Sequence, residues 1–197
     1  TSRDSPLAFE AQYGLVLHLP PEDISEYNFS SKEQTKHLRS CMCHSFAVPY
    51  SNLGVRIMSQ VTNLMMLRVL TILSFHMASQ RCYLKSPLGY VGKLIHLRCL
   101  RLRGLSINLP YSLGNLKYLE TLDLSGSYHC RIPNVLWKLG RLRYLYLSDW
   151  WWNSQPKLRL SKQLEILESF SNEFCNPEEV FKLSNLRAFK STVYKNF

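Results

Sequence analysis

Leu97-Arg98-Cys99-Leu100-Arg101-Leu102, Leu119-Glu120-Thr121-Leu122-Asp123-Leu124 and Leu142-Arg143-Tyr144-Leu145-Tyr146-Leu147 are one phrase written three times, Leu-x-x-Leu-x-Leu. Downstream it weakens to Leu164-Leu167-Ser169 and Leu186-Phe189-Ser191. Upstream it weakens to Leu67-Leu70-Ile72 and, weakest, Leu38-Cys41-Cys43. Counted on the first position, the steps from Leu97 are 22, 23, 22 and 22 residues, and the two earlier steps are 29 and 30. The fourth and sixth positions are apolar and the residue between them is not, which is the period of a strand buried on one face.

A second apolar group follows each strand. Leu109-Pro110-x-x-Leu113-Gly114-x-Leu116 and Ile132-Pro133-x-x-Leu136-x-x-Leu139 are two copies, and Pro87-x-x-x-Val91-Gly92-x-Leu94 is an earlier one. Proline fixes the turn, and the spaced leucines suit a short helical or 3-10 return. A strand plus a short return in about 20–29 residues is a leucine-rich repeat. Such a unit cannot bury its own core, so neighbours must stack. The predicted fold is an α/β solenoid of about seven repeats, with a curved parallel sheet on the concave face and short helical or 3-10 returns on the convex face. Seven strands at about 4.8 Å would span roughly 30 Å.

The expected division is residues 36–197 as the repeat domain, irregular with insertions over 36–96 and regular over 97–197. Residues 1–35 read differently. Leu15-Val16-Leu17-His18-Leu19 looks like a strand stopped by Pro20-Pro21, and Glu22 to Lys36 is polar. This segment is expected to be an N-terminal cap or the tail of a preceding domain, since solenoids need their ends covered. Thr1-Ser2-Arg3-Asp4 carries no initiator Met and no signal-peptide pattern, so a piece of something longer is expected.

Of 197 residues, 46% are hydrophobic and 19% charged, which excludes general disorder. No stretch of eighteen apolar residues is present, so no membrane span is expected. The net charge of +10 is uneven. Residues 1–66 hold 5 Lys/Arg against 6 Asp/Glu, and residues 67–197 hold 19 against 8. A basic surface can attract nucleic acid, anionic lipid or an acidic protein, or can simply keep the chain soluble.

Cys41-Met42-Cys43-His44 looks like half of a metal site. The repeat explains it better, because Cys41 and Cys43 occupy the inward fourth and sixth positions, and no second C-x-C or H-x-x-x-H supplies further ligands. No metal, cofactor or catalytic residue is assigned. The six histidines sit at no nucleophile or metal spacing, and no G-x-S-x-G elbow or phosphate loop is present. The six cysteines read as free thiols in a cytosolic chain. Asn28-Phe29-Ser30 is a glycosylation sequon that matters only on a secreted chain.

Candidate binding residues come from the strand positions that face away from the core. Position five reads Met42, Thr71, Arg101, Asp123, Tyr146, Glu168, Lys190, and position two reads Arg39, Arg68, Arg98, Glu120, Arg143, Glu165, Arg187. Arg101 beside Asp123, and Glu168 beside Lys190, are expected as cross-strand pairs of opposite sign. Arg98, Arg101 and Arg103 form a basic stripe suited to an acidic partner. Reversing Arg101 and Arg103 is expected to weaken binding at an unchanged melting temperature. Asp123, Tyr144 and Tyr146 share that face. Trp150-Trp151-Trp152 follow the fifth strand; two indoles are expected to pack and one to remain for contact, as a common interface anchor.

The repeats resemble those of plant intracellular nucleotide-binding leucine-rich-repeat immune receptors. The resemblance lies in Met66-Leu67-Arg68-Val69-Leu70, Gly92-Lys93-Leu94-Ile95-His96-Leu97-Arg98-Cys99-Leu100 and Leu109-Pro110-Tyr111-Ser112-Leu113-Gly114-Asn115-Leu116. It continues through Leu119 to Leu124, Leu142 to Leu145, Gln163 to Leu167 and Leu183 to Arg187, and Lys36-His37-Leu38-Arg39-Ser40 resembles the start of that family's repeat domain. The resemblance implies a cytoplasmic domain, not an enzyme. It implies recognition of pathogen effectors or guarded host proteins, and restraint of the nucleotide-binding domain of the same receptor. The competing reading is an extracellular receptor-like ectodomain, which Leu124-Ser125-Gly126 and Ile132-Pro133 would suit. Its 24-residue unit and its Asn-x-Leu-x-Gly-x-Ile-Pro phrase are absent here. A nucleic-acid partner rests on net charge alone and is not expected.

Overall fold

The computed structural model describes residues 8–11, 14–19, 37–45, 61, 63–74, 83–84, 87–148, 150–151, 158–171 and 175–191. The repeat phrases become β3 (Ser40–Ser45), β4 (Val69–Ser74), β6 (Cys99–Arg103), β8 (Thr121–Asp123), β10 (Tyr144–Tyr146), β12 (Ile166–Phe170) and β13 (Ala188–Ser191). They pair parallel, each with the next repeat's strand. Two strands precede them, β1 (Ala8–Ala11) and β2 (Gly14–Leu19). β2 pairs parallel with β3, and β1 pairs antiparallel with β2. Among the described residues the result is one nine-stranded sheet.

The repeat phrase fixes this register through its backbone. The carbonyls of Arg39, Arg68, Arg98, Glu120, Arg143 and Glu165 each accept two N–H groups, from the second and third positions of the following repeat, at 2.7–3.0 Å. The first, fourth and sixth positions turn inward. Leu67, Leu97, Leu119, Leu142 and Leu164 are buried, as are Leu70, Leu100, Leu122, Leu145 and Leu167, in one core that runs the length of the described repeats. Burying each such leucine stabilises the fold by about 1.5–3 kcal/mol. Cys41 and Cys43 occupy the same inward positions, with sulfurs 3.8 Å apart.

Among the described residues, the convex returns include three 3-10 helices, η1 (Pro87–Lys93), η2 (Tyr111–Asn115) and η3 (Leu136–Lys138), and a short helix α1 (Pro177–Phe181). Asn176 caps α1 by accepting the Glu178 N–H, and Pro177 occupies the first turn, where no amide donor is needed.

A second sheet was not expected. β5 (Tyr83–Leu84), β7 (Ser106–Asn108), β9 (Tyr128–Arg131) and β11 (Trp150–Trp151) form it, all parallel, in the order β11-β9-β7-β5. The chain turns from the main sheet into this one at Gly104 and Gly126, the eighth residue of successive repeats, with φ of 69° and 68°. An L side chain rarely adopts that conformation, which accounts for glycine at both corners. Leu105, Ile107 and Leu109 then alternate inward, as do Cys130 and Ile132 one repeat later.

The weak phrase Leu164-Leu167-Ser169 is accommodated by a bulge. Ser169 has φ of 56°, the register to β13 shifts between Leu167 and Phe170, and Phe170 takes the core place that the phrase assigns to Ser169. At β13 every residue is exposed, and Phe189, a fourth-position residue, is 47% exposed.

Candidate functional surface

Parallel pairing without a shift aligns the fifth positions as a row across the sheet: Met42, Thr71, Arg101, Asp123, Tyr146, Glu168. Third positions form a second row that includes Cys99, Thr121, Tyr144 and Ile166. Asp123 organises the middle of this face. It is 2% exposed, and its Oδ2 accepts from Arg103 Nε at 3.0 Å and Nη2 at 2.5 Å. Its Oδ1 accepts the Ser125 amide at 3.0 Å and the Ser125 hydroxyl at 2.7 Å. Arg101, directly opposite in register, stands farther off, with Nε 3.9 Å from the same Oδ2.

The arginines of the stripe therefore differ. Arg98, Arg101 and Arg103 are all about half exposed, at 52%, 47% and 51% of their side chains. Arg101 and Arg103 converge on one buried carboxylate, while Arg98 reaches Glu120 at 3.9 Å. The tighter Arg103 contact escaped the sequence reading, which paired only residues at equal repeat positions. Arg103 stands two residues past Arg101 and reaches diagonally across to the next strand, a distance a long side chain spans.

Beyond Asp123 lie two tyrosines. Tyr144 and Tyr146 are half-buried and sit between β8 and β12. The Arg143 guanidinium lies 5.4 Å over the Tyr144 ring. Desolvation, then the nearby Glu168 and Asp123 carboxylates, raises the Tyr146 pKa, so its hydroxyl is a donor at neutral pH. The position-two row gives Arg143 to Glu165 at 2.6 Å, with Arg187 at 3.9 Å on the other carboxylate oxygen. The Arg143 hydrogen bond holds the Glu165 pKa below the ordinary value. No ion pair joins Glu168 to Lys190 among the described residues, because the bulge at Ser169 breaks the register between them. Trp150 and Trp151 lie on β11, the edge of the second sheet and not the main one, with Cα partners Tyr128 and Cys130. Their side chains, and the whole of Trp152, lie outside the described residues.

Among the described residues, no disulfide joins Cys41, Cys43, Cys99, Cys130 or Cys175, and Cys82 lies outside them. Burial pushes the Cys130 thiol up to about 12. Cys43 is also raised well above the ordinary thiol value, by its contact with Cys41 and then by burial. Both shifts oppose nucleophilic chemistry. No group of three or more His, Cys, Asp or Glu side chains able to hold a metal occurs among the described residues. No helix among them is long and apolar enough to cross a membrane.

Comparison with known proteins agrees with the repeat geometry. The family model described as leucine-rich repeat region matches residues 37–196. Probable disease resistance protein RF9 of Arabidopsis thaliana is 42% identical over 104 residues, covering 49% of this chain and 10% of that protein. Probable disease resistance protein RF45 of the same plant is 39% identical over 127 residues, covering 62% of this chain and 12% of that protein. The chain thus spans about a tenth of the length of these relatives. Among solved structures, an internalin from Listeria monocytogenes aligns with 87% of this chain and 54% of its own at a TM-score of 0.46 and 15% identity. From repeat register, buried leucine columns and the family match alike, the chain belongs to the leucine-rich-repeat family, and its repeats are of the kind carried by plant disease-resistance proteins.

Proposed function

We propose that this chain is the protein-recognition and autoregulatory repeat domain of a cytoplasmic plant immune receptor, and not an enzyme. Its partners are a pathogen effector or a guarded host protein, and the nucleotide-binding domain of the same receptor. One observation carries the reading. A register fixed by paired backbone hydrogen bonds presents Arg101, Tyr144 and Tyr146 side by side on the exposed face of the sheet, around a buried carboxylate that Arg103 holds. Arginine and tyrosine are among the side chains enriched as interface anchors, and a rigid sheet lowers the entropy lost on binding. The described part of the N-terminal segment, β1 and β2, serves as the cap of the solenoid. The antiparallel β1, laid along β2, supports that role.

The test is surface plasmon resonance of the purified chain against pathogen effectors and against the nucleotide-binding domain. Wild type is compared with Arg98→Gln, Arg101→Gln and Tyr146→Ala. These substitutions leave the Arg103–Asp123 contact in place. Loss of binding at an unchanged melting temperature is the expected result. A partner bound equally well by all three variants would remove the main-sheet face from the proposal.

A further inference from the structure

The fifth residue before each repeat's first leucine forms a column on the convex side: Gly92, Gly114, Trp137, Arg159, Phe181. Its first two members are glycines under close contact. A Cβ on Gly92 would stand 2.4 Å from the Ser112 carbonyl oxygen, and one on Gly114 would stand 3.2 Å from Lys138 Cδ. At Trp137 the column changes character and opens into a cleft of about 400 Å³, lined by Trp137, Arg159, Lys162, Glu179 and Lys182 among others.

The lining is strongly cationic. Three basic side chains face one carboxylate, and Glu179 is already bound to Lys182 Nζ at 2.8 Å. No ion pair to a carboxylate engages Arg159 or Lys162 among the described residues. Trp137 and Arg159 are held in place. The indole Nε1 donates to the Asn134 carbonyl at 3.1 Å, and the Asn134 side-chain oxygen accepts the Arg159 backbone N–H at 2.9 Å. The Arg159 guanidinium lies 5.0 Å over the indole ring, and the Lys138 ammonium lies 5.4 Å from it. A guanidinium lying over an aromatic ring can keep N–H groups for an oxyanion, with which it can make two parallel hydrogen bonds.

We propose that this convex cleft binds the phosphate group of a small phosphorylated molecule, with Arg159 and Lys162 as its ligands and Trp137 as the platform that orients Arg159. Arg159, Lys162 and Lys182 less Glu179 leave an excess of two positive charges, and a phosphomonoester carries about −1.5 to −2 at neutral pH. A single carboxylate would leave one of these charges unmatched. The cleft volume lies within the range of small-molecule sites, about 300–1,000 Å³. The site lies on the opposite side of the solenoid from the recognition face and does not depend on it.

The phosphate could come from a soluble metabolite or from a lipid headgroup, and the experiment separates them. The chain is titrated by calorimetry in 0.15 M salt (about an 8 Å screening length) with glucose 6-phosphate. In parallel it is mixed with vesicles carrying phosphatidylinositol 4-phosphate. Saturable one-to-one binding in either arm is expected, weakened at least tenfold by Arg159→Gln and by Lys162→Gln. Arg131→Gln, which removes an equal charge from the second sheet, is expected to change affinity less than twofold. The arm that binds identifies the source. Lys162 is exposed, so its variant tests the site even if Arg159→Gln impairs folding. No saturable binding in both arms, or equal weakening by Arg131→Gln, would overturn the proposal.

Discussion

Replacing Gly92 by alanine adds one methyl group at the tightest contact between two convex returns. The new Cβ would lie 2.4 Å from the Ser112 carbonyl oxygen, 2.6 Å from Ser112 Cβ and 2.8 Å from the Ser112 carbonyl carbon. Ordinary contact needs about 1 Å more, and two of the three obstructing atoms are backbone, so η1 and η2 must separate. Overpacking of this kind costs about 1–3 kcal/mol. Two glycines nearby provide controls. Gly89, also in η1, would meet nothing within 4 Å. There alanine restricts only the unfolded chain, for a gain of about 0.4–1 kcal/mol. Gly114 is intermediate: its nearest neighbour, at 3.2 Å, is Cδ of a flexible lysine. The expected order of stability is Gly89→Ala, then Gly114→Ala, then Gly92→Ala, with about 1.4–4 kcal/mol between the extremes. For a chain of this size 1 kcal/mol moves the melting temperature by about 2–4 °C, so a gap of roughly 3–16 °C should be measured. Urea midpoints with unchanged slopes would show that the native state alone is affected. Equal melting temperatures for Gly92→Ala and Gly89→Ala would refute the claim that the returns pack this closely.

Two further outcomes follow from the same contacts. Arg103→Gln is expected to lower stability by about 1–3 kcal/mol, because Asp123 stays buried and loses its nearest cation, while Arg101→Gln changes it by less than about 0.5 kcal/mol; equal unfolding midpoints for the two would deny the asymmetry. Cys130, whose thiol is pushed up to about 12 by burial, should resist iodoacetamide at pH 8 in the folded chain, where it stays protonated, and react once unfolded. The sign carries over to stability. The folded pKa lies above the ordinary 9.0, so this contribution is complete below pH 9 and is lost as pH rises toward 12. Rapid alkylation of native Cys130, detected by mass spectrometry, would contradict its burial.

The main sheet was legible because its cause is periodic. A leucine at the first, fourth and sixth positions has one way to be buried in a stacked unit, and the steps of 22 and 23 residues set which strands pair. The same logic placed Cys41 and Cys43 inside. Legibility failed where the cause was not periodic. Ser169 occupies an apolar position in the pattern, yet a left-handed backbone there lets Phe170 fill the core instead. The expected Glu168–Lys190 pair was lost with it. The second sheet was missed because its strands are two to four residues long, too short to show a period. A signal was nevertheless present in glycine at the eighth position of two successive repeats, followed by Leu105-x-Ile107-x-Leu109.

The candidate surface shows the same limit more sharply. Equal repeat positions predict which residues are level with one another, and Arg101 is indeed level with Asp123. Energy follows distance instead. The 2.5 Å contact belongs to Arg103, and the level pair is left at 3.9 Å. Of the two arginines, Arg103 is therefore bound into the structure and Arg101 is the freer to meet a partner, although repeat position alone ranks them equally. A long side chain on a repeat scaffold has several carboxylates within reach. Only burial decides between them: Asp123 is buried, so whichever cation can form two hydrogen bonds to it is held there. Sequence periodicity locates such a surface on the solenoid, and the desolvated carboxylate of Asp123 divides the residues that build it from those left to bind.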